Sequence, residues 1–206
     1  MKLIDALQEK GNPYWIPNCS RGDMPEFFNE LGLIKGVEVG VFHGDNMARF
    51  CAAGLDMTGI DSWTERDMNT TEREHESPEA TYQKAVETLK QYDCKLIRKT
   101  SMEAVNDFAD ESLDFVYIDS DHSFGHVAMD LTIWTPKVRK GGIISGHDYF
   151  VDTQGPRRNR RLRFPRFAID AFAAAYEFPN WYVVGSKEKV RREVRDKSLS
   201  FFMIKE

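Results

Sequence analysis

The chain has 206 residues, 41% of them apolar and 30% charged, with a formal charge of −5. That length fits one domain able to bury roughly 70% of its unfolded surface without disulfide or metal staples. No apolar run approaches the ~20 residues of a membrane helix, three scattered cysteines (Cys19, Cys51, Cys94) form no CxxC pair, and the acidic balance excludes a protein that coats nucleic acid over its whole surface. Sparse, odd cysteines suit a reducing compartment. Asp5 and Glu9 stand where a signal peptide would place its apolar segment, so the expected location is cytoplasmic.

Residues 1–35 read as an N-terminal helical extension ahead of a domain over 36–206. Asp23, Pro25 and Gly32 supply the start and stop signals of a helix over MPEFFNELGL. The intervening GNPYWIPNCSRG holds turn formers and is expected to be irregular. From residue 36, short apolar runs at 37–41, 55–60, 95–98, 113–118 and 141–145 alternate with amphipathic stretches at 45–53, 78–92, 102–109, 124–135 and 165–177. Strand-like runs separated by helical patterns indicate βαβ units and a parallel sheet. The last two runs, 181–185 and 199–204, have no helix between them and predict an antiparallel hairpin at one edge. The fold class is a doubly wound α/β sheet. Ser77 before Pro78 marks a helix start, Thr100 and Glu103 have capping-box spacing, and Ser101 is a further cap candidate.

Ligands of open α/β sheets bind beyond the carboxyl ends of the strands. Polar residues follow all five parallel strands here: Gly40 to Asn46, Asp61-Ser62-Trp63, Thr100-Ser101, Asp119 to His122, and His147-Asp148-Tyr149. The first turn reads Glu38-Val-Gly40-Val41-Phe-His-Gly44, an E-x-G-x-x-x-G pattern opening a helix. Its glycines serve either close approach of a ligand or tight packing of strand on helix. Their spacing is not the G-x-G-x-x-G of dinucleotide enzymes. Asp61 stands where a carboxylate would grip ribose hydroxyls, a role that competes with an ordinary turn or cap.

Taken together, E-x-G-x-x-x-G, the strand-end Asp61, YIDSDH and KGGIISGHDY resemble the class I S-adenosylmethionine-dependent methyltransferases. The likeness is to a small bacterial branch akin to sugar and macrolide O-methyltransferases, and it covers residues 36–150. It implies a Rossmann-like sheet of seven strands in the order 3-2-1-4-5-7-6. It also implies that Glu38, Gly40 and Gly44 line the methionine part of the cofactor, with Val41, Asn46 and Asp119 among the cofactor-binding residues. Asp61 would hold the ribose, Ser62 and Trp63 would flank the adenine, and Ser101 would sit at its edge.

Methyl transfer needs aligned reactants and a deprotonated nucleophile. Asp119, Asp148 and His147 are candidate ligands of Mg²⁺ or Mn²⁺, with Asp121 nearby, and Asp119 and His122 are the candidate catalytic pair in D-x-x-H spacing. The competing assignment makes Asp119 and Asp121 caps of the helix near Ser123. His147 departs from the catechol-type enzymes, where a carboxylate is expected. Residues 62–77 form an acidic flap or a solvated loop. Six arginines in residues 156–166, with Arg160, Arg161 and Arg163 foremost, form either an anion clamp or a solvated or inter-subunit loop. Tyr149, Phe164 and Phe167 are candidate apolar walls.

The leading expectation is O-methylation of a small sugar-like or anionic acceptor by a protein that forms a homodimer and binds no nucleic acid. The alternatives are methylation of RNA or a phosphorylated macromolecule, a cofactor-binding module without turnover, and a nicotinamide-dependent dehydrogenase.

Overall fold

The computed structural model describes residues 2–64, 76–150, 165–186, 194 and 198–206. These residues contain eight strands: β1 (Tyr14–Ile16), β2 (Lys35–Val39), β3 (Asp56–Asp61), β4 (Lys95–Arg98), β5 (Leu113–Ile118), β6 (Val138–Gly146), β7 (Trp181–Val184) and β8 (Ser200–Ile204). They form one sheet in the order β1-β7-β8-β6-β5-β2-β3-β4. Among the described residues six α-helices accompany them: α1 (Met24–Glu30), α2 (Asp45–Ala52), α3 (Pro78–Leu89), α4 (Ser101–Ala104), α5 (Phe124–Trp134) and α6 (Pro165–Ala175). From β2 onward the strand order is the expected one. β8 runs antiparallel to both β6 and β7.

β1 makes the sheet eight-stranded instead of seven-stranded. It lies in the segment expected to be irregular and pairs in parallel with β7, Tyr14 against Tyr182 and Ile16 against Val184. Tyr, Trp and Ile are good strand formers, but three residues between Pro13 and Pro17 are too short for periodicity to register. Their partner strand is more than a hundred residues away, so the pairing is a tertiary event. The rest of the N-terminal extension is helical only in pieces: single 3-10 turns at Asp5–Gln8 and Arg21–Asp23, then α1.

Both faces of the sheet are covered, which explains why its central strands are continuous apolar runs. In β5, Phe115 and Tyr117 enter one core, while Val116 and Ile118 enter the other. The first core takes α1 through Phe27 and Phe28, with Phe28 and Phe115 rings 4.8 Å apart, and α2 through Met47 and Phe50. The second takes Leu131 and Trp134 of α5 and Ile169 and Phe172 of α6. Burying one such side chain contributes about 1.5–3 kcal/mol.

The helix starts follow local chemistry. Ser77 accepts from the Ala80 amide. Thr100, and not Ser101, caps α4 in a complete capping box with Glu103. Asp23 precedes α1 but turns its carboxylate back to Ser20, closing a box around the 3-10 turn. Among the described residues, no helix is long and apolar enough to cross a membrane.

Candidate active site

Main-chain hydrogen bonds stitch the carboxyl ends of the central strands into one rim. Gly40 N donates to Ile60 O at 2.8 Å, Asp119 N to Val39 O at 2.8 Å, and His147 N to Ile118 O at 3.0 Å. These bonds place the turns after β2, β3, β5 and β6 side by side, as the sequence pattern anticipated. Three non-glycine residues on this rim have left-handed backbones: Phe42 at φ +52°, Trp63 at +42° and Asp148 at +59°. Such conformations cost of order 1–3 kcal/mol each and cluster at functional sites.

The β2 and β3 side of the rim is closed and buried. Gly40 has φ +96°, and a Cβ there would lie 2.2 Å from the Asp119 carbonyl oxygen. The close approach that Gly40 permits is therefore to the turn after β5. Gly44, at φ +85°, starts α2, and a Cβ on it would press on Leu89. Both glycines are accounted for by the packing of the turn, one of the two roles open to them. Val41 is 5% exposed and belongs to the core.

Asp61 is also buried, and its carboxylate accepts backbone amides from Phe42 and Trp63, each at 3.0 Å. It thereby pins two successive turns together. The Trp63 indole is buried, donates to Phe42 O at 3.0 Å and packs edge-on against Tyr82. Ser62 pairs its hydroxyl with Thr64.

Beneath this turn lies Glu38, 1% exposed. Asn46 Nδ2 donates to Glu38 Oε1 at 3.0 Å. Glu38 Oε2 and Asn46 Oδ1 are buried without a hydrogen-bond partner among the described residues. Burial is the main force raising the Glu38 carboxyl from an ordinary 4.5 to about 8; the Asn46 hydrogen bond opposes it, and the negative charge of Asp119 adds to it.

The β5 and β6 side is polar and partly open. His122 Nε2 lies 2.7 Å from Asp148 Oδ2 and 4.0 Å from Asp119 Oδ1. Ligand atoms of Asp119, His122 and Asp148 all fall within 4.8 Å of one another. His147, expected among the metal ligands, instead turns Nδ1 to Ser200 Oγ at 2.9 Å, with Nε2 3.9 Å from Asp148 Oδ1. The chain continues from Ser200 to the buried Tyr117 hydroxyl at 3.3 Å.

Burial pushes the Asp119 carboxyl up; the neighbouring Asp148 reinforces this, while His147, His122 and Arg21 oppose it. Burial acts upward on Asp148 too, but the His122 hydrogen bond and the charges of both histidines outweigh it and hold that carboxyl low. The capping alternative is met only by Asp121. Its Oδ1 accepts the Ser123 amide at 2.7 Å, and Ser123 itself caps α5.

Other assignments resolve differently. Ser101 is drawn into a polar knot in which Asp130 accepts from both Ser101 and Ser120, and Trp134 Nε1 donates to Ser101 at 2.8 Å. Tyr149 is 2% exposed, packed on Trp15 and Trp181 with its hydroxyl on Asp170, which makes it a core residue and not a pocket wall. Phe167 is half exposed. Arg160, Arg161, Arg163 and Phe164 lie outside the described residues, as does most of the acidic flap.

Two functional candidates were not anticipated. Asp130, an acid inside the apolar run of α5, ties that helix to the residue following Asp119. Its isolation among apolar neighbours was a readable signal. Arg21 brings Nη1 to 3.8 Å from Asp119 Oδ2. Only the Ser20–Asp23 spacing hinted that its turn is fixed.

Residues 37–149 match the family described as a methyltransferase domain. The chain belongs to that family. A curated relative, the uncharacterized protein y4gI of Sinorhizobium fredii, is 29% identical over 127 residues, or 58% of this chain. The match spans 13% of the length of that relative. Among solved structures, the methyltransferase domain is similar to an O-methyltransferase from Bacillus cereus in complex with SAH, with a TM-score of 0.60 and 14% identity over 90% of this chain and 80% of that one. It is also similar to a putative caffeoyl-CoA O-methyltransferase from Staphylococcus aureus (TM-score 0.59, 14% identity, 88% and 80% covered). The N-methyltransferase NodS from Bradyrhizobium japonicum is likewise similar (TM-score 0.59, 12% identity, 90% and 94% covered). At these identities the likeness establishes the methyltransferase fold; the acceptor atom differs among the neighbours themselves.

Proposed function

We propose that the chain is an S-adenosylmethionine-dependent methyltransferase acting on a hydroxyl of a small, sugar-like or anionic acceptor. The observation that carries this reading is the pairing of two unlike half-sites across one rim. Two buried acceptors without a hydrogen-bond partner among the described residues, Glu38 Oε2 and Asn46 Oδ1, lie under the first turn. The Asp119–His122–Asp148 cluster lies on the opposite side. The donor chemistry of the first half fits the amino-acid end of the cofactor, whose ammonium would satisfy both acceptors. When bound, S-adenosylmethionine supplies a methyl group carried on a sulfonium sulfur.

The residues of the second half prepare the acceptor. A hydroxyl must lose its proton as it attacks, and a positioned base typically contributes 10²–10⁴-fold. With Nε2 held by Asp148, His122 carries its lone pair on Nδ1 and takes that proton there. Asp148 fixes the ring and stabilises the imidazolium that results, and Asp119 adds negative charge beside it. The Asp130–Ser120 bond and the Asp119–Val39 bond keep this turn in register with the first.

The same three side chains offer two carboxylate oxygens and one imidazole nitrogen, a donor set that suits Mn²⁺ or Mg²⁺. An ion held there would lower the pKa of the acceptor hydroxyl in place of a base. Methyl transfer from labelled S-adenosylmethionine to a panel of hydroxylated acceptors, with and without chelator, tests both routes. The proposal expects labelled ethers. Loss of activity on chelation assigns the ion, and full retention assigns His122 as the base. Label transferred only to amines, or to no acceptor despite tight S-adenosylhomocysteine binding, would reject O-methylation.

A further inference from the structure

We propose that Asp130 is a positioning residue for methyl transfer: its two carboxylate oxygens brace the turn that carries Asp119 and His122 against the start of α4, and so fix where His122 stands. This role rests on the reading above of His122 as a group that prepares the acceptor. It extends that reading to a buried residue outside the Asp119–His122–Asp148 cluster.

The surroundings of Asp130 do not favour an acid. α5 sends Val127, Leu131 and Trp134 into the core, and Asp130 is 4% exposed among them. Burial pushes its carboxyl up, against the pull of the bonds from Ser101 and Ser120. An apolar residue of similar volume would pack there at less cost, because a buried carboxylate must give up its hydration. What the carboxylate supplies is two directed acceptors. Ser101 donates to Oδ1 and Ser120 to Oδ2, both at 2.5 Å. Trp134, one helical turn further on the same face of α5, donates Nε1 to Ser101 Oγ at 2.8 Å and closes the network.

The two serines belong to turns that the sheet does not join. Ser101 opens α4 after β4, Ser120 follows β5, and β2 and β3 lie between those strands. Asp130 spans that gap from α5. In the turn after β5, three consecutive residues are thereby tied. The Asp119 amide donates to Val39 O at 2.8 Å, the Ser120 hydroxyl to Asp130, and the Asp121 carboxylate accepts the Ser123 amide at 2.7 Å. His122 is the next residue, and its Nε2 reaches Asp148 at 2.7 Å. The middle tie joins two side chains, so it is removable without touching the backbone. A misplacement of about 1 Å at a reacting group costs on the order of 10²-fold in rate.

Methyl transfer by the full chain, from labelled S-adenosylmethionine to an acceptor found in the panel above, separates positioning from folding when read beside affinity for S-adenosylhomocysteine. Ser120→Ala removes the middle tie alone, and Asp130→Leu removes both arms. Each is expected to lower kcat about tenfold to a hundredfold while KM and S-adenosylhomocysteine affinity stay within about threefold. Asp130→Asn keeps the shape and one acceptor oxygen, and is expected to recover most of the loss. Placed on His122→Ala, neither Ser120→Ala nor Asp130→Leu should lower turnover further, since the group they misplace is already gone. Losses that multiply with that of His122→Ala overturn the positioning role. So do losses that appear equally in S-adenosylhomocysteine affinity, or a Ser120→Ala chain at wild-type turnover. Histidine side-chain NMR tests the same point without an acceptor, and Ser120→Ala serves it even where Asp130→Leu does not fold. Wild-type His122 is expected as one neutral tautomer with its hydrogen on Nε2, and Ser120→Ala as a mixture of both. An unchanged His122 signal overturns the role. Full turnover by His122→Ala would instead overturn the reading of His122 itself.

Discussion

The two sides of the rim are made of different materials. The turns after β2 and β3 are built from backbone: left-handed Gly40 and Gly44, an Asp61 carboxylate spent on two amides, and a tryptophan folded over the turn. The turns after β5 and β6 are built from side chains, with Asp119, His122 and Asp148 converging through space. A shape made by backbone tolerates little change in residue size and much change in charge. A cluster made of side chains has the opposite sensitivities. The first side is suited to gripping a ligand of fixed form, the second to moving a proton.

The sharpest way to break this contrast is to disable one side and read the other. His122→Ala is expected to lower turnover by about 10²–10⁴-fold, the usual contribution of a positioned base. Affinity for S-adenosylhomocysteine should stay within about threefold. If binding fell in step with turnover, the two sides would be one unit and the division wrong.

Gly40→Ala probes the backbone side. The new Cβ would meet the Asp119 carbonyl at 2.2 Å and would sit at φ +96°. Neither can relax without separating the turns after β2 and β5, so a loss of about 3 kcal/mol or more is expected in urea denaturation. A loss below ~1 kcal/mol would show that this turn yields easily.

The last probe is the pH dependence of stability. The carboxyl of Glu38 is raised from 4.5 to about 8 in the folded chain, by burial above all. Between those values the unfolded chain has released a proton that the folded chain retains. Stability from this group therefore falls as pH rises from about 4.5 to 8 and levels beyond that. Glu38→Gln, which has no proton to lose there, should melt with a flatter pH profile and gain most on wild type near pH 8. Parallel profiles would mean that Glu38 is ionised in the fold.

Legibility in the sequence followed the same division. The first turn announced itself because glycines and a strand-end acid are local signals, although what Gly40 makes room for was not visible. The second side was legible as residue types at strand ends. Which nitrogen joined the carboxylates was not, because His122 and His147 are equally placed in sequence. The Ser200 hydroxyl, arriving on β8, takes Nδ1 of His147 and leaves its Nε2 3.9 Å from Asp148 Oδ1. That Ser101 bonds to Asp130 was not legible, because Asp130 lies on another helix. Nothing local reports that Trp15 and Trp181 enclose Tyr149.

The amino-acid sequence by itself determined the alternation of strands and helices, the hairpin at the end, the helix caps at Ser77 and Thr100, and the set of polar residues that line the rim. These depend on period, turn chemistry and hydrogen bonds between near neighbours, all of which act within a few residues. Tertiary structure alone decided the eighth strand, the assembly of Asp119, His122 and Asp148, and the delivery of Arg21 to Asp119. Each joins groups distant in sequence, and their meeting is set by how two cores pack against one sheet.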